Sequence, residues 1–439
     1  MIDRRWVACL VALLAHSAPA AGLKFERIVI DADFPAGYQI EVADVNGDGK
    51  PDLVGVGGGT CAWYENPSWK KRIVSVPKDT PDIISSATHD LDGDGRAEIA
   101  IAHDFAMNEP KRGKLTLAIP GPKADDPWSF RPIVDDAGGH RPPRLPSSGG
   151  NVPSIHRLRW GQVPMMRIVG DVPTITNQLG LIVAPIFGRE VRPPTFDQDQ
   201  DQARIVHYDP GTKPKEGRWR SNHIAGGEVA HAILARTDPA RTDDPFLLVA
   251  CSDGVMEYVP SVTLQGAPSF GGFNVFPIPD GVAPKRGCSE VHLGRLATGQ
   301  RFLATIEPWH GSEVAVRLKP PGLPATCDVA TGERNQFGPR TVLDATLDDG
   351  HALWVADVDG DGDDEVFAGH RGKDARVSVY RYEAGQWART VIDRDITAQD
   401  FRGGDLDGDG VPDVVAIGGR SHNVVWYRPI RAGGKPAAR

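Results

Sequence analysis

Short apolar runs punctuate this chain, and four of them follow one recurring polar loop. The runs are Leu53-Val-Gly-Val56, Ile99-Ala-Ile-Ala102, Val366-Phe-Ala-Gly369 and Val414-Val-Ala-Ile417. Apolar runs this short, bounded by glycines and charges, predict buried strands rather than helices. The loop before each run carries oxygen side chains at positions 1, 3, 5 and 9. They are Asp44, Asn46, Asp48 and Asp52; Asp90, Asp92, Asp94 and Glu98; Asp357, Asp359, Asp361 and Glu365; Asp405, Asp407, Asp409 and Asp413. A strand–loop–strand unit that returns at intervals is the mark of a repeat protein.

The wider unit reads as a strand, the acidic loop, a second strand, a glycine-rich turn, a third strand ending in aromatics, and a fourth strand. In the first unit these are residues 38–45, 52–56, 61–64 and 71–76. Less regular units centre on residues 155–160 with 181–186, 231–235 with 246–250, and 291–296 with 302–306. The pattern makes seven four-stranded units, which predicts an all-β, seven-bladed β-propeller over residues 21–430. The last unit lacks a fourth strand of its own, and residues 24–30 can supply it from the N-terminus, closing the ring and hiding two sheet edges. An open β-solenoid would need end caps, and no segment has that character.

The acidic loops are oxygen cages. Carboxylates at alternate positions, a backbone carbonyl at position 7 and glycines that let the chain curl select hard cations, Ca²⁺ above all, so up to four structural Ca²⁺ ions are expected. The loops differ from an EF-hand, because position 12 of the first copy is Gly55 and the flanks are strands. The loops near Gly161-Gln162, Thr237-Asp238 and Ala297-Thr298 lack the carboxylates and are expected to bind none.

Composition alters the picture in three places. Residues 1–20 read as a cleaved secretory signal: Arg4 and Arg5, an apolar stretch from Trp6 to Ala15, then Ala18-Pro-Ala20. The expected location is therefore secreted or periplasmic. No apolar run approaches the ~18 residues that membrane insertion needs. Losing Arg4, Arg5 and Asp3 with the signal removes one net positive charge and takes the chain from −9 to −10. No basic patch argues for nucleic acid. Cys61, Cys251, Cys288 and Cys327 remain after export, as one or two disulfides or as buried thiols; the pairing is not legible. Residues 431–439 read as a disordered tail, and the Pro-, Gly- and Arg-rich insert at 135–150 as a lid or a loop. Oligomeric state is not legible.

A second pattern is written in histidine. His156, His231, His292 and His351 stand near the start of the inner strands of four successive units, where Tyr38, Ile84 and Gln399 stand in the others. Inner strands line a propeller's channel, and their starts lie opposite the acidic loops. Turns between second and third strands open on the same face and carry His103, His310, His370 and His422, with Glu290, Glu307, Asp349 and Asp400 nearby. Converging imidazoles are ligands for Zn²⁺ or another transition metal. A polar, water-filled channel or a sugar-binding cup accounts for the same residues.

The acidic loops between blade strands resemble the FG-GAP/VCBS repeat family. A more specific likeness lies in Ile155-His-Arg-Leu-Arg-Trp160, Val183-Ala-Pro-Ile-Phe-Gly188, Ile306-Glu-Pro-Trp-His-Gly311, Gly350-His-Ala-Leu-Trp354 with Ala368-Gly-His-Arg-Gly372, and Ala398-Gln-Asp400. Together these are similar to the propeller domain of the aldos-2-ulose dehydratase family. The resemblance implies a zinc-dependent lyase or isomerase acting on keto-sugars. Family members continue into cupin domains, and this sequence ends after the propeller.

On that reading His156, His231, His292 and His351 are the pool of transition-metal ligands. Glu307 or His310 would transfer protons, and Arg371 would hold an oxyanion or carboxylate. Trp309 would stack on the sugar, with Tyr38 and His370 also lining the substrate. The competing class is a non-catalytic, calcium-stabilised propeller that binds carbohydrate or protein. It explains the acidic loops equally well but not the histidines gathered on one face. No Gly-x-Ser-x-Gly elbow supports a serine hydrolase.

Overall fold

The computed structural model describes residues 23–135, 154–169, 172–188, 190–191, 202–227, 229–237, 244–263, 269–278, 287–323 and 335–430. The expected signal segment and tail, Cys327 and nearly all of the 135–150 insert lie outside these residues.

The alternating patterns fold into seven antiparallel sheets, each led by an inner strand: Gly37–Ala43, Ser85–His89, Ile155–Val169, Ala230–Ala235, Glu290–Arg295, Gly350–Ala356 and Ala398–Gly404. Each inner strand packs against the inner strands before and after it, and the last packs on the first, so the ring is closed. The fold is a seven-bladed β-propeller. Lys24–Asp31 pairs antiparallel with Val424–Ile430 and completes the seventh blade, as the sequence predicts.

Burial follows from position in the blade. Second strands such as Asp52–Gly57, Glu98–His103 and Asp413–Gly418 are buried along their whole length, because sheets lie on both faces. Outer strands such as Gln386–Asp393 are exposed or half-buried along most of their length. Among the described residues the one helical turn is Pro214–Glu216. The third blade departs from the repeat: Val134–Asp135 adds a parallel fifth strand beside Arg218–Gly227.

Successive blades are clamped by one repeated arrangement. An aspartate ending an outer strand accepts a hydrogen bond from a third-strand tyrosine of the next blade: Tyr64 to Asp31 at 2.6 Å, Tyr380 to Asp344 at 3.0 Å, Tyr427 to Asp393 at 2.7 Å. A cation on that next blade's outer strand joins each pair: Lys71 at 2.7 Å, Arg389 at 2.6 Å and Arg27 at 2.7 Å. A hydrogen bond to a charged group contributes about 1.5–3 kcal/mol. The clamp thus ties the blades where apolar contact thins out.

Cys61, Cys251 and Cys288 are buried thiols. Cys251 and Cys288 sit side by side, with the Cys288 amide 3.0 Å from the Cys251 carbonyl. For these three, the choice between disulfides and thiols falls to thiols.

Candidate metal centre at one end of the channel

The site is made by β-bulges. In five blades the inner strand begins with a register shift that leaves one residue unpaired: Tyr38, His156, His231, His351 and Gln399. A bulge re-aims the side chain it carries, and these converge. Ring centroids lie 4.6 Å apart for His156 and His231 and 5.1 Å for His231 and His351. Tyr38 stands 5.5 Å from His351. His310, in the turn after Arg301–Glu307 with φ at +47°, completes the group at 4.7 Å from His231 and 5.2 Å from His351.

The hydrogen bonds fix which nitrogens face inward. Nδ1 of His156 donates to the His231 carbonyl at 2.8 Å, Nδ1 of His231 to the Ser289 carbonyl at 2.7 Å, and Nδ1 of His351 to the Gln399 carbonyl at 2.7 Å. Each bulge histidine is thus held by the next blade, and its Nε2 lone pair points into the channel. Metal-binding histidines are oriented in this way. His351 Nε2 is buried and has no partner. His231 Nε2 lies 2.7 Å from His310 Nε2. The nitrogens of His231, His310 and His351 all fall within 4.8 Å of one another. This donor set fits a metal ion, which would satisfy the buried His351 nitrogen and replace the close contact between the other two. Because His231 Nε2 is an acceptor, His310 Nε2 donates to it here while His310 Nδ1 accepts from Arg371 Nη2 at 3.3 Å; ligation through Nε2 would move the proton to Nδ1, where Asp349 Oδ1 at 3.5 Å is the acceptor.

Electrostatics keep the imidazoles neutral, as metal ligation requires. Burial pushes His156, His231 and His351 well below the usual histidine value, and nearby Arg157 or Arg371 pushes the same way. His310 is lowered to about 3, by burial first and then by His231 and Arg371.

The other expected site residues divide. Tyr38 donates its hydroxyl proton to His156 Nε2 at 2.8 Å, so His156 is capped by a phenol rather than joining the triad. Arg371 bonds Asp349 at 2.7 Å and Gln399 at 2.9 Å beside the triad. Trp309 packs edge-on to His231 and His310.

Three other expected site residues lie away from the cluster. His292 does not join the cluster, because the strand Glu290–Arg295 has no bulge. That blade meets the cluster through the Ser289 carbonyl, which accepts from His231 Nδ1, and His292 lies further along, against Trp354, in a cleft of about 690 Å³ toward the acidic-loop end. Glu307 is fully buried between Arg317 at 2.8 Å and Arg340 at 2.7 Å, a scaffold ion pair rather than a free proton carrier. His370 is spent within its own blade, with Nε2 3.0 Å from Arg376 and Nδ1 at the Asp348 backbone. His103 and His422 likewise turn away, to Thr116 and to the Ala36 amide.

Behind the triad lies a buried charged layer, in which the expected Glu290 and Asp400 are joined by two arginines that the sequence pattern did not single out, Arg157 and Arg159. Arg157 reaches Glu290 at 3.4 Å and covers the Tyr38 ring, while Asp400 accepts from Arg402. Burial raises Glu290 and Asp400 to about 7 against the pull of Arg157 and Arg159. The signal was present, since Arg157 and Arg159 alternate directly after His156 at the start of the inner strand.

At the opposite end the acidic loops are ordered by their own backbone. The position-9 carboxylate accepts the amide of position 2 in every copy: Val45 to Asp52, Leu91 to Glu98, Val358 to Glu365 and Leu406 to Asp413, at 2.9–3.0 Å. Glycine is required at position 4 of the first copy. Gly47 has φ at +76°, and a Cβ there would meet the Gly95 carbonyl of the neighbouring loop at 1.8 Å.

The FG-GAP-like repeat family matches residues 37–101 and 357–416, segments within the first two and last two blades. This chain carries FG-GAP-like repeats. The curated relative that it matches is aldos-2-ulose dehydratase of Phanerodontia chrysosporium, at 24% identity over 398 residues. That match covers 86% of this chain, and the chain spans 40% of the relative's length. Among solved structures, BBS1N in complex with ARL6DN, from a mercury-soaked crystal, superposes with a TM-score of 0.51 at 12% identity, covering 92% of this chain and 95% of that one. The lead-soaked form gives 0.50 at 13% identity, over 92% and 96%. These two likenesses concern the propeller fold alone.

Proposed function

We propose that this propeller is a metal-dependent lyase or isomerase acting on keto-sugars at the histidine end of its channel, stabilised by calcium at the acidic loops. The observation that carries the reading is the convergence of His231, His310 and His351 from three blades, with a buried unpartnered Nε2 on His351. The similarity to aldos-2-ulose dehydratase supports the substrate class.

His231, His310 and His351 would hold Zn²⁺ or another transition metal. Such an ion polarises a carbonyl and stabilises charge developing on its oxygen. Loss of water beside a ketone breaks a C–H bond next to the carbonyl, forms a C=C bond and expels the neighbouring hydroxyl as water. Asp349, beside His310 and more than a third exposed, is the carboxylate assigned to take the carbon-bound proton. Tyr38 holds a proton at Oη, hydrogen-bonded to His156, and is assigned to protonate the departing hydroxyl. Arg371 and Gln399 offer hydrogen bonds to sugar oxygens, and Trp309 supplies an apolar wall.

The test is plasma mass spectrometry of the purified protein with an assay of keto-sugar dehydration by enone absorbance. About one transition-metal ion per chain is expected, lost together with turnover in His351→Ala. A protein that takes up no transition metal, even after soaking, sinks the catalytic reading and leaves a binding propeller.

A further inference from the structure

The four acidic loops look alike in sequence, but their surroundings differ, and the calcium reading proposed above does not fit all of them. In the second loop a lysine from another blade is already inside. Lys215 Nζ lies 2.8 Å from Asp92, 2.8 Å from Asp94 and 3.0 Å from Glu98. An ammonium nearly equidistant from three carboxylates occupies the place where a cation would be shared.

The lysine is delivered by a built element. It sits in the helical turn Pro214–Glu216, whose Pro214 carbonyl accepts the Trp219 indole N–H at 2.8 Å and the Gly217 amide at 3.2 Å. Gly217 has φ at +71°, and a Cβ there would meet the Pro132 carbonyl of the second blade at 2.5 Å. Val134–Asp135 pairs with Arg218 and Trp219 and fixes the same turn against the second blade.

The repeat shows what each loop meets at the corresponding place on its own third strand. One rung beyond Leu53–Tyr64, Ile99–Ala118, Val366–Tyr380 and Val414–Tyr427, the third strands carry Glu65, Ile119, Arg381 and Arg428. The two arginines reach their own loops less closely than Lys215 reaches the second, and Arg381 comes within hydrogen-bond distance of one carboxylate rather than three. Arg381 is 2.9 Å from Asp359 but 3.7 Å from Asp361 and Glu365, and Arg428 is 3.9 Å from Asp407. Ile119 can supply no charge, and Lys215 comes across the blade boundary instead. The first loop has Glu65 at this position, paired with Arg72 at 2.6 Å, and Lys50 lies 3.9 Å from Asp48.

We infer that Lys215 replaces calcium in the second acidic loop, making it a metal-independent clamp between the second and third blades, and that calcium binding is confined to the first, third and fourth loops. A divalent ion would have to expel a tethered ammonium held by three carboxylates.

The test is calorimetric titration of calcium into the chelator-stripped full-length protein, with thermal melts in chelator. Lys215→Met is expected to bind one more Ca²⁺ per chain than the native protein and to melt lower in chelator, with calcium restoring the loss. In the native background Asp92→Asn should leave the calcium count unchanged, whereas Asp407→Asn should lower it by one; this pair decides even if Lys215→Met folds poorly. An Asp92→Asn protein that loses one equivalent, or a Lys215→Met protein that gains none, overturns the inference. A native protein that binds no calcium overturns the calcium reading of the other three loops. The chelated melts then decide the clamp alone: an unchanged melting temperature in Lys215→Met removes it.

Discussion

Chelation at varied pH separates the acidic loops from the rest of the protein. Asp413 is buried beside Asp407 and Asp409, and with no cation bound burial lifts it from its ordinary 3.8 to about 7. A carboxyl group whose folded pKa is raised contributes stability at low pH and loses it as pH rises through the folded value. At 1.36 kcal/mol per pH unit, the interval from 3.8 to about 7 corresponds to about 4 kcal/mol, most of it lost between pH 5 and 8. Asp52, lifted to about 6, and Glu365, lifted to about 9, act in the same direction. With an unfolding entropy of about 2.1 cal/mol/K per residue over roughly 400 residues, 4 kcal/mol is about 5 °C in melting temperature. Roughly two-thirds of that loss falls between pH 5 and 8, so in chelator Asp413 alone should lower the melting temperature by about 3 °C over that interval. Saturating Ca²⁺ favours the ionised carboxylates and should cancel or reverse that slope. Glu290 and Asp400 titrate in the same window but lie in the channel, so they affect both curves and drop out of the difference. Scanning calorimetry at matched ionic strength reads it directly. A difference between calcium and chelator that stays constant from pH 5 to 8, or is zero at pH 8, refutes the reasoning.

Two further predictions concern the channel. Tyr38→Phe removes the hydroxyl that His156 Nε2 accepts from; turnover of keto-sugar should fall by about 10²–10⁴-fold, the usual weight of a proton-transfer group, with metal content unchanged. Loss of metal in this variant would show that the phenol supports the ligands instead. Glu307→Gln leaves Arg317 and Arg340 facing a neutral amide in a buried site, which should cost about 3–5 kcal/mol of stability with little change in kcat for the fraction that stays folded. A collapse of kcat at unchanged melting temperature would return Glu307 to the chemistry.

The propeller was legible because its punctuation is chemical. Each acidic loop marks the turn from a first to a second strand, and each apolar run after it marks a strand buried on both faces. Even the closing strand could be read, from the missing fourth strand of the last unit. The site was legible in part, for a geometric reason. Histidine spacing was read as if every inner strand entered the channel in the same register, but register there is set by the bulge, and a bulge is a backbone event with no fixed residue signature. His156, His231 and His351 ride on bulges and His292 does not. The blade containing His292 instead contributes through its turn, where His310 reaches the same point. Position-by-position reasoning on a repeat therefore identifies which residue types gather at one end of the channel. It does not identify which member of each blade arrives, because in one blade the turn takes over from the strand. The same limit hid Lys215: no motif within the second blade announces it, and its role follows from an isoleucine at the position where the sixth and seventh blades carry arginine.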